Sequence, residues 1–185
     1  MSENTKGVGQ VMPYTDDELA LLATTPQLIG SAVAAAGSSG LFGTGKELFA
    51  SARSMMEGGQ SFPANSLIKQ LLPDPGSDPQ QTMERMKKFR DWGLARLKSK
   101  GIDSADKVQQ LTVDDCKAVS SLLAAKATPQ EAREYRQWAL SVAEKVAAAA
   151  SEGGFLGFGG QQVSDPEKQL IAKIRDALGD RSASA

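Results

Sequence analysis

Residues 128–151 read TPQEAREYRQWALSVAEKVAAAAS, and they carry the clearest helical pattern in the chain. Thr128 and Glu131 form the capping box that marks a helix N-terminus, and Pro129 suits the first helical position. Apolar side chains then recur every three or four positions, at Tyr135, Trp138, Ala139, Val142, Val146 and Ala149. Because that spacing places them on one helical face, the stretch predicts a long amphipathic helix.

The same start signature recurs along the chain, at Thr15–Glu18, Thr112–Asp115 and Ser164–Glu167. Alanine is abundant, and no stretch alternates apolar and polar residues as a strand would. We therefore expect an all-α fold, a compact multi-helix array. The predicted helices are Asp16–Ala23, Pro26–Ala36, Lys46–Met56, Asn65–Leu72, Gln80–Lys100, Ser104–Leu111, Val113–Lys126, Pro129–Ser151 and Asp165–Leu178.

One proline-rich connection interrupts this pattern. Residues 73–79 contain three prolines, which remove backbone donors and fix φ, so no helix continues through them. The expected organisation is one helical domain over residues 14–179, with this connection between its two halves. The polar ends, residues 1–13 and 180–185, are expected to be disordered tails.

The composition excludes several kinds of chemistry. The chain of 185 residues has no histidine and a single cysteine, Cys116, so it has no Ser-His or Cys-His pair, no disulfide and no zinc finger. Asp114 and Asp115 lie beside Cys116 and disfavour its thiolate form. No residue stands out as catalytic, and we expect that the protein is not an enzyme.

The net charge of −1 argues against a surface built as a whole for nucleic acid. No run of 18 apolar residues occurs, and residues 1–12 lack the apolar stretch of a signal peptide. We therefore expect no transmembrane segment and a cytoplasmic location.

Two glycine-containing turns resemble each other. Residues 34–45 and 148–159 each begin with the last alanines of an alanine-rich helix, carry two apolar side chains between glycines and lead to a new helix. Three glycines match at a constant offset: Gly40, Gly43 and Gly45 correspond to Gly154, Gly157 and Gly159. The sequence thus predicts two pseudo-equivalent units, each a helix, a glycine turn and a second helix.

The run from Trp138 to Ala150, the glycine turn and the segment from Val163 to Gly179 resemble the TerB-like helical family, which is associated with tellurite resistance. The resemblance implies an all-helical fold with internal pseudo-symmetry, a link to stress response and a metal site made of acidic residues. Its candidate ligands for a divalent cation are Glu47, Glu152 and Glu167. Where the family has Asp before the turn glycine, this chain has Ser39 and Gly153. A capping role at helix N-termini is an alternative explanation of these glutamates. Apart from the possible divalent cation, we expect no cofactor.

Residues 40–46 fit the G-x-x-x-x-G-K pattern of a phosphate-binding loop. The next residue is Glu47, where that loop needs Ser or Thr to bind magnesium, and the preceding segment is predicted to be helical. We interpret the pattern as a helix-ending turn.

The helix predicted over residues 80–100 is basic, with seven Lys and Arg against two acidic residues. Its candidate partner-binding residues are Arg85, Lys88 and Arg96. A basic amphipathic helix suits an acidic protein partner or nucleic acid, but an ordinary packed helix with a solvated face is the simpler interpretation.

The second glycine loop presents Phe155, Leu156 and Phe158, which either dock a partner or fill a gap between helices. The alanine-rich face at residues 147–150 permits close helix packing within one chain or between two chains, so the sequence is compatible with a homo-oligomer. The function that these features favour is a non-catalytic interaction module that binds a protein partner. The alternatives are a metal-binding regulatory protein of TerB-like type, and binding of nucleic acid or an acidic partner through the basic helix.

Overall fold

The computed structural model of the chain describes residues 14–37, 45–73, 76–151 and 163–180, without the side chains of residues 45–49 and 150–151. This described part is all-helical, as predicted. It contains the helices α1 (Asp16–Ala36), α2 (Gly45–Ser61), α3 (Ser66–Leu71), α4 (Pro79–Ser99), α5 (Ala105–Lys126), α6 (Pro129–Ser151) and α7 (Asp165–Leu178).

The helix starts follow the capping signals in the sequence. Capping boxes close the N-termini of α1 and α7, at Thr15 with Glu18 and at Ser164 with Glu167. Thr128 and Glu131 make the same reciprocal bonds before α6. Helix α7 is capped at its C-terminus by Gly179. The φ of this residue, 70°, lies in the left-handed region, which glycine adopts most easily.

The prediction that residues 16–36 form two helices is wrong, because α1 runs straight through Pro26. A proline has no N–H to donate to the carbonyl four residues earlier, which here belongs to Leu22. The phenolic hydroxyl of Tyr135, on α6, donates to that carbonyl oxygen at 2.7 Å instead. A contact from another helix therefore supplies the hydrogen bond that Pro26 cannot make.

The predicted break at Thr112 is also wrong, since residues 105–126 form the single helix α5. Thr112 does not cap a helix: it is buried, and its hydroxyl donates to the carbonyl of Val108 at 2.7 Å. Val108, Leu111 and Cys116 are buried on both sides of it, so packing continues the helix through a residue that resembles a cap.

Helix α1 lies at the centre of the array and packs against each of the other six described helices. One hydrophobic core contains residues from both sides of the 73–79 connection, including Leu22, Ile68, Trp138 and Ile174. By length and composition, α1 is apolar enough to cross a membrane, but 61% of that window is buried within the protein. A buried core helix meets the same criterion.

The basic helix α4 is the least embedded element. Its backbone approaches only that of α1 among the described helices, and Phe89 is the only buried residue of its 21. The rest of its inner face is half-buried, which leaves open space between α4 and its neighbours.

Candidate binding groove

A groove runs between α1 and α4. It consists of two cavities, of about 390 Å³ and about 140 Å³. Four residues line both cavities: Thr24, Gln27 and Ser31 from α1, and Arg90 from α4. Because the α1 residues follow one another at three and four positions, they form a continuous floor between the cavities. We call this combined space the α1–α4 groove.

The larger cavity is walled by methionines. Met55 and Met56 reach it from α2 and Met86 from α4, next to Leu71 and Leu72. Thioether side chains are unbranched and adjust their shape to what they contact, so such a wall accepts apolar groups of differing outline.

The smaller cavity is walled by leucines. Leu28 comes from α1, Leu94 and Leu97 from α4 and Leu111 from α5. Asp115 and Arg96 close its end and, as an ion pair, add no net charge there.

Within the described residues, three large apolar side chains are exposed; two of them, Met56 and Leu94, line this groove, and the third, Met83, lines neither cavity. Met56 is 52% exposed and Leu94 58%, and each lines one of the two cavities. Met83 is 71% exposed and shares a helical stripe with Met86, Arg90 and Leu94, at spacings of three, four and four. Exposed apolar side chains that gather on one concave surface mark a binding site more often than scattered ones do.

The rim of the groove on α4 is positively charged. Lys87, Arg90 and Lys98 are exposed on the flank of α4 that carries Met83 and Leu94. Arg90 contacts Asp91 at 2.8 Å, with both side chains more than half exposed, so solvent screens this pair strongly. The guanidinium of Arg90 can therefore exchange Asp91 for a carboxylate of a partner.

Three basic residues were predicted from the sequence to bind a partner, and two of them hold α4 against its neighbours. Arg85 donates through Nη2 to the carbonyl of Leu72 at 3.0 Å, at the end of α3. Arg96 donates through Nη1 to Asp115 at 2.5 Å and lies over the ring of Trp92, 5.3 Å from its centroid. These bonds support an anchoring role for both.

Lys88, the third nominated residue, is exposed on the other flank of α4. It lines a separate cavity of about 330 Å³ together with Asp16 and Asp17. Sequence reasoning missed Arg90, although its position four residues from both Met86 and Leu94 is a usable signal.

The Arg96–Asp115 pair lies at the α5 end of the groove, with Asp115 buried and Arg96 half-buried. Burial raises the pKa of the Asp115 carboxyl, and the hydrogen bond and charge of Arg96 lower it only in part. Asp115 Oδ1 has no hydrogen-bond partner in the described part of the chain. Trp92 donates to Asp17 Oδ1 at 3.0 Å, so polar contacts tie α4 to α5 and to the start of α1.

Glu167 is the one candidate metal ligand whose side chain is described, and it is 3% exposed. Its Oε2 accepts bonds from the backbone N–H and the hydroxyl of Ser164, at 2.8 and 2.6 Å. Its Oε1 is buried without a partner among the described residues, beside Gly37 at the end of α1. The capping interpretation thus explains the contacts of Oε2 but gives no hydrogen-bond partner to Oε1.

The other candidate metal ligands cannot be placed beside Glu167. The side chain of Glu47 and all of Glu152 lie outside the described residues. Across residues 14–37, 45–73, 76–151 and 163–180, no group of three or more acidic or cysteine side chains is arranged to hold a metal.

Phe155, Leu156 and Phe158 also lie outside the described residues, together with residues 38–44 of the first glycine turn and residues 152–159 of the second. Docking by this loop and the presence of two pseudo-equivalent units therefore stay predictions.

Cys116 is fully buried on α5, and burial, with the nearby Asp115 charge, raises the pKa of its thiol to about 12. That environment agrees with an unreactive cysteine.

No family model, curated protein or solved structure matches this chain. The site is therefore interpreted from its own geometry.

Proposed function

We propose that the protein is a non-catalytic interaction module that binds an acidic amphipathic helix of a partner protein in the α1–α4 groove. The observation that carries this proposal is that the exposed side chains of Met56 and Leu94 line one groove, which Arg90 also lines. An amphipathic helix laid in an apolar groove is a common mode of recognition, and methionine-rich walls serve it well.

The apolar walls favour a protein partner over nucleic acid. Phosphate backbones are bound mainly by positive charge, without a need for exposed methionine and leucine. An acidic amphipathic helix uses both features, because its apolar face fills the cavities while its carboxylates meet Lys87, Arg90 and Lys98.

A charge placed in the groove tests the proposal. The probe is a labelled helical peptide with leucines along one face and glutamates bordering that face, and its binding is followed by fluorescence anisotropy. Leu94→Glu places a carboxylate in the apolar wall and should weaken peptide binding at least about tenfold, a loss of about 1.4 kcal/mol. Leu94 is mostly exposed, so the variant should still fold.

Ala95→Glu is the matched control. It adds the same charge to the next residue of α4, which is exposed and lines neither cavity. Its affinity should stay within about twofold of the parent, because residue 95 points about 100° away from Leu94 around the helix and its carboxylate stays in solvent, outside both cavities. The proposal fails if the acidic peptide does not bind, if both variants lose affinity equally, or if a peptide with lysines in place of the glutamates binds as well.

The unpartnered Oε1 of Glu167 favours a second candidate function, binding of a divalent cation. A buried carboxylate oxygen without a donor is costly unless a cation or another donor completes it. This candidate also fits the proposed TerB-like relationship, in which Glu47 and Glu152 would supply further oxygens and the protein would act in stress response. A thermal melt in EDTA and in millimolar calcium, magnesium or manganese tests it.

Saturation at 100 times the dissociation constant raises stability by about 2.7 kcal/mol, so Tm should rise by several degrees with one hard cation. The rise should vanish in Glu167→Gln and persist in Asp165→Asn, a nearby exposed carboxylate of the same helix. A melt that no cation shifts would remove this candidate.

A further inference from the structure

The α1–α4 groove has two apolar ends that differ in size and wall. The methionine end, at Met55, Met56 and Met86, encloses about 390 Å³, and the leucine end, at Leu28, Leu94 and Leu97, about 140 Å³. Each end can hold an apolar side chain of a bound helix, and the smaller end limits the size of the group that enters it. The groove is thus two subsites, not one continuous apolar surface.

The boundary between the two subsites is polar. Gln27, an exposed amide on α1, and Arg90, on α4, line both cavities from opposite sides. Each side chain can donate hydrogen bonds, and Arg90 also carries a charge. A carboxylate between two apolar anchors is the group that this boundary complements best.

The residues of α4 set the distance between subsites. Arg90 lies four residues after Met86 and four before Leu94, so at a rise of 1.5 Å each step is about 6 Å, and the apolar walls are about 12 Å apart. On a partner helix lying along α4, residues i and i+7 are about 10.5 Å apart and face the same way, within about 20°. Residue i+4 falls between them on that face.

Resting on the proposed function, we infer that the α1–α4 groove selects a partner helix with apolar residues at i and i+7 and an acidic residue at i+4. The apolar residues occupy the methionine and leucine subsites, and the acidic side chain pairs with Arg90 and Gln27. Arg90 is thus the residue that sets specificity.

Three peptides of identical composition test this spacing. The reference peptide has leucine at i and i+7 and glutamate at i+4. In the second, the glutamate moves to the opposite face, and in the third, the second leucine moves to i+5, about 140° from the first. We expect affinities about tenfold weaker for the second peptide and weaker still for the third, measured by anisotropy at fixed salt.

The variant Arg90→Gln tests whether Arg90 is the partner of the acidic residue at i+4. Without the guanidinium, the tenfold difference between the reference and second peptides should shrink to about threefold or less, because the glutamate at i+4 has lost its charged partner and keeps only the uncharged Gln27. Lys117→Gln removes one positive charge from an exposed position on α5 and should preserve the tenfold difference. Melting curves of both variants should match the parent, since each side chain is mostly exposed.

The outcomes separate this inference from the proposed function. If all three peptides bind alike, or if Arg90→Gln leaves the difference between the first two unchanged, the spacing rule is overturned while the groove remains a docking site. If none of the peptides binds, the proposed function fails and the rule fails with it.

Discussion

Tyr135 donates a hydrogen bond to the carbonyl oxygen of Leu22, and this bond, at 2.7 Å, holds the central helix together at its proline. Both residues are fully buried, and Pro26 has no N–H for the Leu22 carbonyl. A side chain 113 positions away thus completes the backbone of α1. The continuity of α1 depends on α6, so the two helices should form cooperatively.

Tyr135→Phe should destabilise the protein by about 1–3 kcal/mol, because it leaves the buried carbonyl of Leu22 without a donor. The ring itself keeps its edge contact with Trp138, so packing changes little. Combining it with Pro26→Ala should reduce this cost, since alanine restores the N–H that the carbonyl lacks. Urea unfolding of the four proteins in this cycle measures the coupling.

Tyr14→Phe is the matched control for this cycle. The hydroxyl of Tyr14 is buried without a partner in the described part of the chain, and burial, with Glu131 and Glu18, raises its pKa to about 12. Deleting an unpaired buried hydroxyl should be neutral or slightly stabilising. Equal costs for the two Tyr→Phe changes, or strict additivity with Pro26→Ala, would contradict the role of Tyr135.

Gly58 on α2 lies directly against the indole ring of Trp138 on α6. A methyl group on Gly58 would lie 2.7 Å from Trp138 Cε2, and the buried indole cannot move aside without disturbing the core. Gly58→Ala should therefore cost about 2 kcal/mol or more, despite the better helix propensity of alanine. Urea unfolding followed by tryptophan fluorescence measures this cost.

Gly59→Ala is the control for Gly58, one residue later in the same helix. A methyl group there meets only Leu72 Cδ1, at 3.4 Å, which is ordinary contact. Helix propensity alone then favours alanine, by about 0.5–1 kcal/mol. If both substitutions changed the free energy of unfolding in the same direction and to the same extent, that result would contradict the close contact between Gly58 and Trp138.

Glu131 should give the protein part of its pH dependence. Burial raises the pKa of its carboxyl, but hydrogen bonds from Ser66 and from Thr128 outweigh burial and lower it below the ordinary 4.5. The folded-state pKa is thus depressed, so the stability that Glu131 contributes is complete above pH 4.5 and is lost as the pH falls through the folded value. The bond from Ser66 also ties α3 to α6, at 2.5 Å.

Glu131→Gln removes a charged hydrogen-bond acceptor, so it should lower stability at pH 7 by about 1 kcal/mol. It should also flatten the decline in stability below pH 4.5. Urea midpoints at half-unit pH steps measure that slope. Glu84→Gln, at an exposed position of α4, should leave the slope as in the parent. A slope that Glu131→Gln does not change would place the acid sensitivity in other carboxylates.

The sequence predicted what depends on local signals. The caps at Thr15, Thr128 and Ser164, and the buried face around Trp138, are set by residues within a few positions of one another. The predicted breaks near Pro26 and Thr112 failed because distant packing outweighs a local helix-breaking signal. Tyr135 is far from Pro26 in the chain, and no local pattern connects them.

The binding groove was harder to predict for the same reason. The basic helix was found from its composition, but the sequence could not tell which charges α4 uses to hold itself in place. Arg85 and Arg96 are engaged by Leu72 and by Asp115, which only the packing of α3 and α5 determines. The methionine wall joins α2 to α4 across a proline-rich connection, which helical periodicity cannot reveal.

Cys116 should report global unfolding. With its thiol buried and a pKa near 12, the thiolate fraction at pH 8 is about one in ten thousand, and no reagent reaches the sulfur in the folded state. We expect no labelling by a thiol-reactive dye in buffer and complete labelling in high urea. Since it is the only cysteine in the chain, the signal has one source.

An exposed cysteine calibrates the reagent: Ala95→Cys in a Cys116→Ser background should react within minutes, because residue 95 is exposed on α4. If opening is fast relative to labelling, the rate at Cys116 follows the free energy of unfolding. Gly58→Ala should then accelerate it by the factor that its measured loss of stability implies, about tenfold for each 1.4 kcal/mol. Rapid labelling of Cys116 in the native parent protein would instead mean that α5 opens locally, away from α1, without unfolding of the whole domain.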